Sequence, residues 1–183
     1  MRTSRKESDE KMRVLIAIDQ STFSSQIINT LTERKFSGRT DFKILSVLEP
    51  LPVEWDNQSS QAGSKLAQDL LKKRHSKALK ILGEARQKLL QSFPNCNVHT
   101  ELRRGDAREE IIGAAVDWMP DRVVLGEHKD SPNRFLSGAV SRTVARHSTC
   151  TVELIRLIEE KTTSLSSLAP LITTASGSRS YPR

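Results

Sequence analysis

Apolar residues in this chain gather into short continuous runs and longer periodic ones, and the two kinds alternate. Val14 to Ile18 is unbroken and ends at Asp19, the pattern of a strand buried on both faces of a parallel sheet. Asp19-Gln20-Ser21-Thr22 supplies turn and cap chemistry, and Ile27, Ile28 and Leu31 then mark one side of a helix ending near Lys35. Phe42 to Leu48 predicts a second strand, closed by Glu49-Pro50, before a polar loop over 52–63. A long amphipathic helix is expected over 64–93, with Leu71, Ala78, Leu82, Ala85 and Leu89 on its buried stripe. Val98 to Leu102 alternates apolar with polar, as a strand at a sheet edge does.

Gly105-Asp106 opens a third helix. Asp106 is its expected N-cap, and Ile111, Ile112, Ala115 and Val116 its expected buried face. Arg122 to Gly126 reads as another fully buried strand, followed by a loop to Arg134. A fourth helix carries Leu136, Val140 and Val144 at i+4 spacing, and Thr151 to Arg156 closes the domain as a strand. Strands and helices in strict alternation predict an α/β fold: one doubly wound, parallel, five-stranded sheet with helices on both faces, of Rossmann type. Residues 1–11 read as a polar, disordered lead-in, 12–156 as one domain, and 157–183 as a disordered tail rich in Ser and Thr. In such sheets ligands bind beyond the carboxyl ends of the strands, where strand order reverses. That directs attention to Asp19–Thr22 and to the stretch from Gly126 to Ser141.

Charge changes this picture little. The net charge of +7 is dispersed, and its densest run, Lys72-Lys73-Arg74-His75, falls inside the long helix. The run reads first as a solvated helix face, with an anion-binding patch as the alternative. Aromatic residues make up 4% of the chain, too few for stacking platforms, so a nucleic-acid partner is not expected. No apolar run approaches a membrane span, and the first twelve residues lack the apolar core of a secretory signal. Cys96 and Cys150 stand far apart without metal-ligand spacing, which predicts neither a zinc site nor a disulfide and fits a cytoplasmic protein. The sequence has no G-x-S-x-G, H-E-x-x-H or G-x-x-x-x-G-K-[ST], and the expectation is a chain that binds rather than catalyses.

The stretch from Gly126 to Ser141 carries a resemblance. A glycine ends a predicted strand, Gly138-Ala139-Val140-Ser141 begins a helix, and Thr143 to Val152 leads into the last strand. With IAIDQS around Asp19, SVLEP around Val47 and Gly105-Asp106, this order and spacing resemble the universal stress protein family over residues 12–156. The resemblance implies an adenine-nucleotide site for ATP, with Mg²⁺ when bound. Asp19 would hold the adenosine, Val47 would pack on the base, and Gly126 and Gly138 would flank the phosphates with Ser141 nearby. It also implies a homodimer paired through the strand at 151–156, a role in stress regulation and a protein partner still to be named.

The chain departs from the family's G-x-x-G, nine residues, G-[ST] pattern. Lys129 stands at or beside the second glycine, the interval to Gly138 is one residue short, and Ala139 replaces the hydroxyl residue. Loss of a hydrogen bond to a charged phosphate costs roughly 1.5–3 kcal/mol, or about ten- to a hundredfold in affinity. Lysine in a glycine's left-handed conformation costs about 1–2 kcal/mol more. Lys129 or Arg134 could offset this as phosphate-binding cations. Two readings stay open: a nucleotide-binding regulator, and a dimeric interaction module of the same fold that has lost the nucleotide. Weak ATP hydrolysis, a third, lacks an identifiable general base.

Overall fold

The computed structural model describes residues 11–21, 23–36, 39–51, 61–128 and 138–157. Its elements are β1 (Met12–Ala17), α1 (Ser24–Thr32), β2 (Thr40–Leu48), α2 (Gln61–Ser92), β3 (Asn97–Arg104), α3 (Ala107–Trp118), β4 (Arg122–His128), α4 (Ala139–His147) and β5 (Thr151–Leu157). All strands pair in parallel, in the order β3-β2-β1-β4-β5. The expected α/β sheet is the one observed.

β1 sits at the centre because its sequence tolerates no water on either face. Val14, Leu15 and Ile16 are fully buried, Val14 and Ile16 toward α1 and α2 and Leu15 toward α3 and α4. On the first face Phe42 joins Phe36 and Phe93 in an aromatic cluster with centroids 5.2–5.6 Å apart. Opposite, Leu15, Leu45, Ile111, Ala114, Val123 and Val144 form the second core.

Toward the β3 edge this second face turns ionic. Lys43 Nζ donates to Glu101 Oε2 at 3.0 Å, Arg103 Nε to Glu101 Oε1 at 2.6 Å, and Arg103 Nη2 to Asp117 Oδ2 on α3 at 2.9 Å. Burial works to raise the Glu101 pKa, but the hydrogen bonds from Arg103 and Lys43 outweigh it and the carboxyl is held below its usual range. Every charge in this layer has a partner.

Three expectations need correction. Val116 is exposed and Ala114 buried instead, because α3 turns Ile111 and Ala114 to the sheet. Leu71 is 44% exposed although it continues the stripe of Ala78. Ala67, one turn earlier on the same stripe, is buried, so the exposure at Leu71 is local. β4 passes through Gly126 to His128, in register with β5 as far as Leu157, so neither strand ends where the apolar run suggested.

Asp106 caps α3 as expected, accepting from Arg108 N at 2.9 Å. The Arg108 guanidinium, aided by that backbone bond, lowers the Asp106 carboxyl to about 2 against the opposing effect of burial. A depressed carboxylate contributes stability that is present above its ordinary pKa of 3.8 and is lost as pH falls toward 2. Asp106→Ala should cost about 1 kcal/mol in urea denaturation at neutral pH. Asp106→Asn keeps the cap acceptor, so its deficit should be a few tenths of a kcal/mol at pH 7 for so exposed a pair and should shrink between pH 4 and 2.

Candidate functional site

The strand order reverses beside β1. β2 leads the chain one way, β4 the other, and between their carboxyl ends lies a cleft of about 310 Å³. Asp19, Val47, Gly126, Gly138 and Ser141, five of the residues singled out from the sequence, all line it. Ala139 is the first residue of α4 at its rim, and Lys129 and Arg134 lie outside the described residues.

Asp19 follows Ile18, the buried residue just past β1, and folds the turn into α1. Its Oδ1 accepts from Ser21 N at 3.1 Å and Ser21 Oγ at 2.5 Å, and stands 3.0 Å from Ser24 Oγ. The Ser24 hydroxyl also reaches the Asp19 carbonyl at 2.6 Å, and Ser21 Oγ accepts from Phe23 N. This is a side-chain-built turn, with Phe23 at the N-cap of α1 making no side-chain cap bond. Among the described residues every donor to this carboxylate goes to Oδ1. The capping and binding readings of Asp19 are thus compatible: one oxygen builds the turn while the exposed side chain lines the cleft.

Val47 packs on the second core and also lines the cleft. Gly138 is the N-cap of α4 with φ +81°, a left-handed conformation that a side chain would strain. Its position sends the first turn of α4 from the cleft rim, with Ser141 95% buried beneath. Arg142 returns its Nε to the Gly138 carbonyl at 2.9 Å.

Gly126 works differently. It lies within β4, opposite Ile155, and its backbone is not left-handed. A Cβ there would stand 2.7 Å from Leu157 Cδ1 and 2.9 Å from Ile27 Cδ1. The missing side chain makes room for two core residues, which themselves line the cleft.

Two further charges reach the cleft from places the sequence reading passed over. Glu49 follows β2, and Arg74 comes from α2. In the sequence Arg74 belongs to a charge run that reads as solvated. Its placement was legible as i−4 from Ala78, the position where the buried stripe of α2 meets the strand ends. Among the described residues no group of three or more His, Cys, Asp or Glu could hold a metal ion, and no helix is long and apolar enough to cross a membrane.

The sequence profile of the Universal stress protein family matches residues 11–156. The chain belongs to this family. A universal stress protein from Methanothermobacter thermautotrophicus is 32% identical over 65 residues, which cover 36% of this chain and 44% of that protein. The chain thus matches less than half the length of that curated relative. Among solved structures, the universal stress protein UspA of Lactobacillus plantarum superposes with a TM-score of 0.61 at 22% identity, covering 79% of this chain and 97% of that one. A family protein from Arabidopsis thaliana, solved with AMP bound, gives 0.57 at 17% identity, covering 84% and 96%. At such identities the likeness is one of fold.

The packing around Gly126 makes a test that is independent of any ligand. Gly126→Ala should destabilise this universal stress protein by about 1–3 kcal/mol through overpacking, without backbone strain. Leu157→Ala should cost less in the Gly126→Ala background than in the wild type. Thermal or urea denaturation of the four proteins gives that coupling directly.

Proposed function

We propose that this chain is a nucleotide-responsive regulator that takes an adenine nucleotide in the cleft at the β1/β4 reversal. The observation that carries the reading is the convergence of Asp19, Val47, Gly138 and Ser141, from the end of β1, from β2 and from the start of α4, on one cleft. The Asp19 carboxylate can accept from ribose hydroxyls, Val47 offers an apolar wall to the base, and the first amides of α4 can face a phosphate with the helix dipole behind them. The cleft volume lies near the lower end for small-molecule sites. AMP in the Arabidopsis relative supports the choice of nucleotide. ATP with Mg²⁺ is the larger member of the same class and is tested beside it. The role is binding that changes partner contacts, with no chemistry assigned to the cleft.

One observation favours the rival, an interaction module without nucleotide. The methyls of Leu157 and Ile27 already cover Gly126, where the family's pattern would bring backbone against phosphate. Both readings share a homodimer through β5. That strand pairs only with β4 among the described residues, and Leu154 on it is 42% exposed. A cytoplasmic location and a protein partner complete the proposal.

Calorimetric titration of nucleotide-stripped protein with AMP, and with ATP plus Mg²⁺, decides between the two readings. The nucleotide reading expects binding in the micromolar range, weakened at least tenfold by Asp19→Asn with little change in Tm, since Asn retains the turn's acceptor oxygen. Absence of heat and of thermal stabilisation at millimolar nucleotide would leave the interaction module. For the dimer, sedimentation should show two chains for the wild type and one for Leu154→Glu; a monomeric wild type would sink that part.

A further inference from the structure

Arg74 stands where a buried residue belongs. The stripe of α2 that faces the sheet runs through Ala78, Leu82, Ala85 and Leu89, all buried. One turn earlier on the same side is Arg74, half-buried and lining the cleft. Its neighbours Lys72 and Lys73 are exposed and do not line it. A guanidinium keeps its charge at any accessible pH, so drawing it from solvent is costly unless an anion meets it. Asp19 and Glu49 line the same cleft, yet among the described residues Arg74 forms no ion pair or hydrogen bond with them or with any other group.

We infer that Arg74 is a phosphate-recognition residue of the cleft, which makes the site select a nucleotide over the corresponding nucleoside. The lining chemistry fits such a ligand. Two carboxylates suit hydroxyl donors of a sugar and repel a bare anion, while one guanidinium without a partner among the described residues suits an anionic group carried on that sugar. Arginine also presents a planar fork that matches phosphate oxygens bidentately. It reaches the cleft from α2, on the opposite side of the sheet from Gly138 and Ala139, so it brings charge from a second side of the cleft. The inference rests on the adenine-nucleotide reading of the cleft and adds to it a determinant outside the glycine loop.

The test uses the full chain, stripped of nucleotide, titrated with AMP and with adenosine as Arg74→Ala, Arg74→Lys, Lys73→Ala and wild type. The wild type should bind AMP more tightly than adenosine. Arg74→Ala should lose about ten- to a hundredfold in AMP affinity while adenosine changes by less than about twofold. Arg74→Lys should recover part of the loss, because the charge returns without the fork. Lys73→Ala, which removes the same charge from an exposed site nearby, should bind AMP as the wild type does. If Arg74→Ala keeps wild-type AMP affinity, or loses AMP and adenosine alike, phosphate recognition by Arg74 is wrong while the nucleotide site stands. If the wild type binds neither, the nucleotide reading falls and takes this inference with it.

Discussion

Every other element is placed by the need to cover β1 on both faces. A run from Val14 to Ile16 without any exposed residue cannot sit at a sheet edge or beneath a single layer of helices. It needs β2 and β4 on its flanks, with α1 and α2 on one side and α3 and α4 on the other. Once β1 is central, the chain must leave it in one direction and later return to the other. The connections beyond β1 and β4 then diverge, and a cleft opens at their ends. Asp19 is the first residue past the buried run, so the burial that centres β1 also sets this carboxylate at the cleft.

The cleft combines two kinds of parts that respond differently to sequence change. The left-handed Gly138, the first amides of α4 and the Asp19 turn are backbone features or nearly so. They survive replacement of Ser or Thr by Ala139, because no side chain at that position builds them. Gly126 belongs to the other kind. Its value here is the space it leaves for Leu157 and Ile27, so packing alone is enough to require it. A glycine matching a binding pattern therefore need not mean that its backbone is open to a ligand.

The sequence made the core strands, the sheet order's consequence and the position of Asp19 readable because continuous burial leaves a strong pattern. It misled where burial depends on which side chains a neighbouring element covers. Periodicity says which side of α2 Leu71 occupies, but not that it stays 44% exposed there while Ala67 and Ala78 on the same stripe are buried. Val116 failed for a related reason: α3 covers the sheet through Ile111 and Ala114, and the small Ala114 gave a weak apolar signal. Arg74 was hidden in plain view by its neighbours, since three consecutive cations suggest solvent even when one of them points inward. Lys129 and Arg134, expected as the compensating cations, lie outside the described residues.

Successive residues on a helix are about 100° apart, so a run of like charges cannot share one environment. Lys72, Lys73 and Arg74 must face three directions, and a helix packed on a sheet has only one of those directions buried. Ala78, four residues on, identifies which. The charge run is thus divided by the core, and only Arg74 is sent to the strand ends. There the low polarity of the surrounding walls strengthens whatever pairing the guanidinium makes, compared with the same group in water. A single arginine so placed can weigh more in ligand choice than the two lysines beside it, which bulk solvent and salt screen.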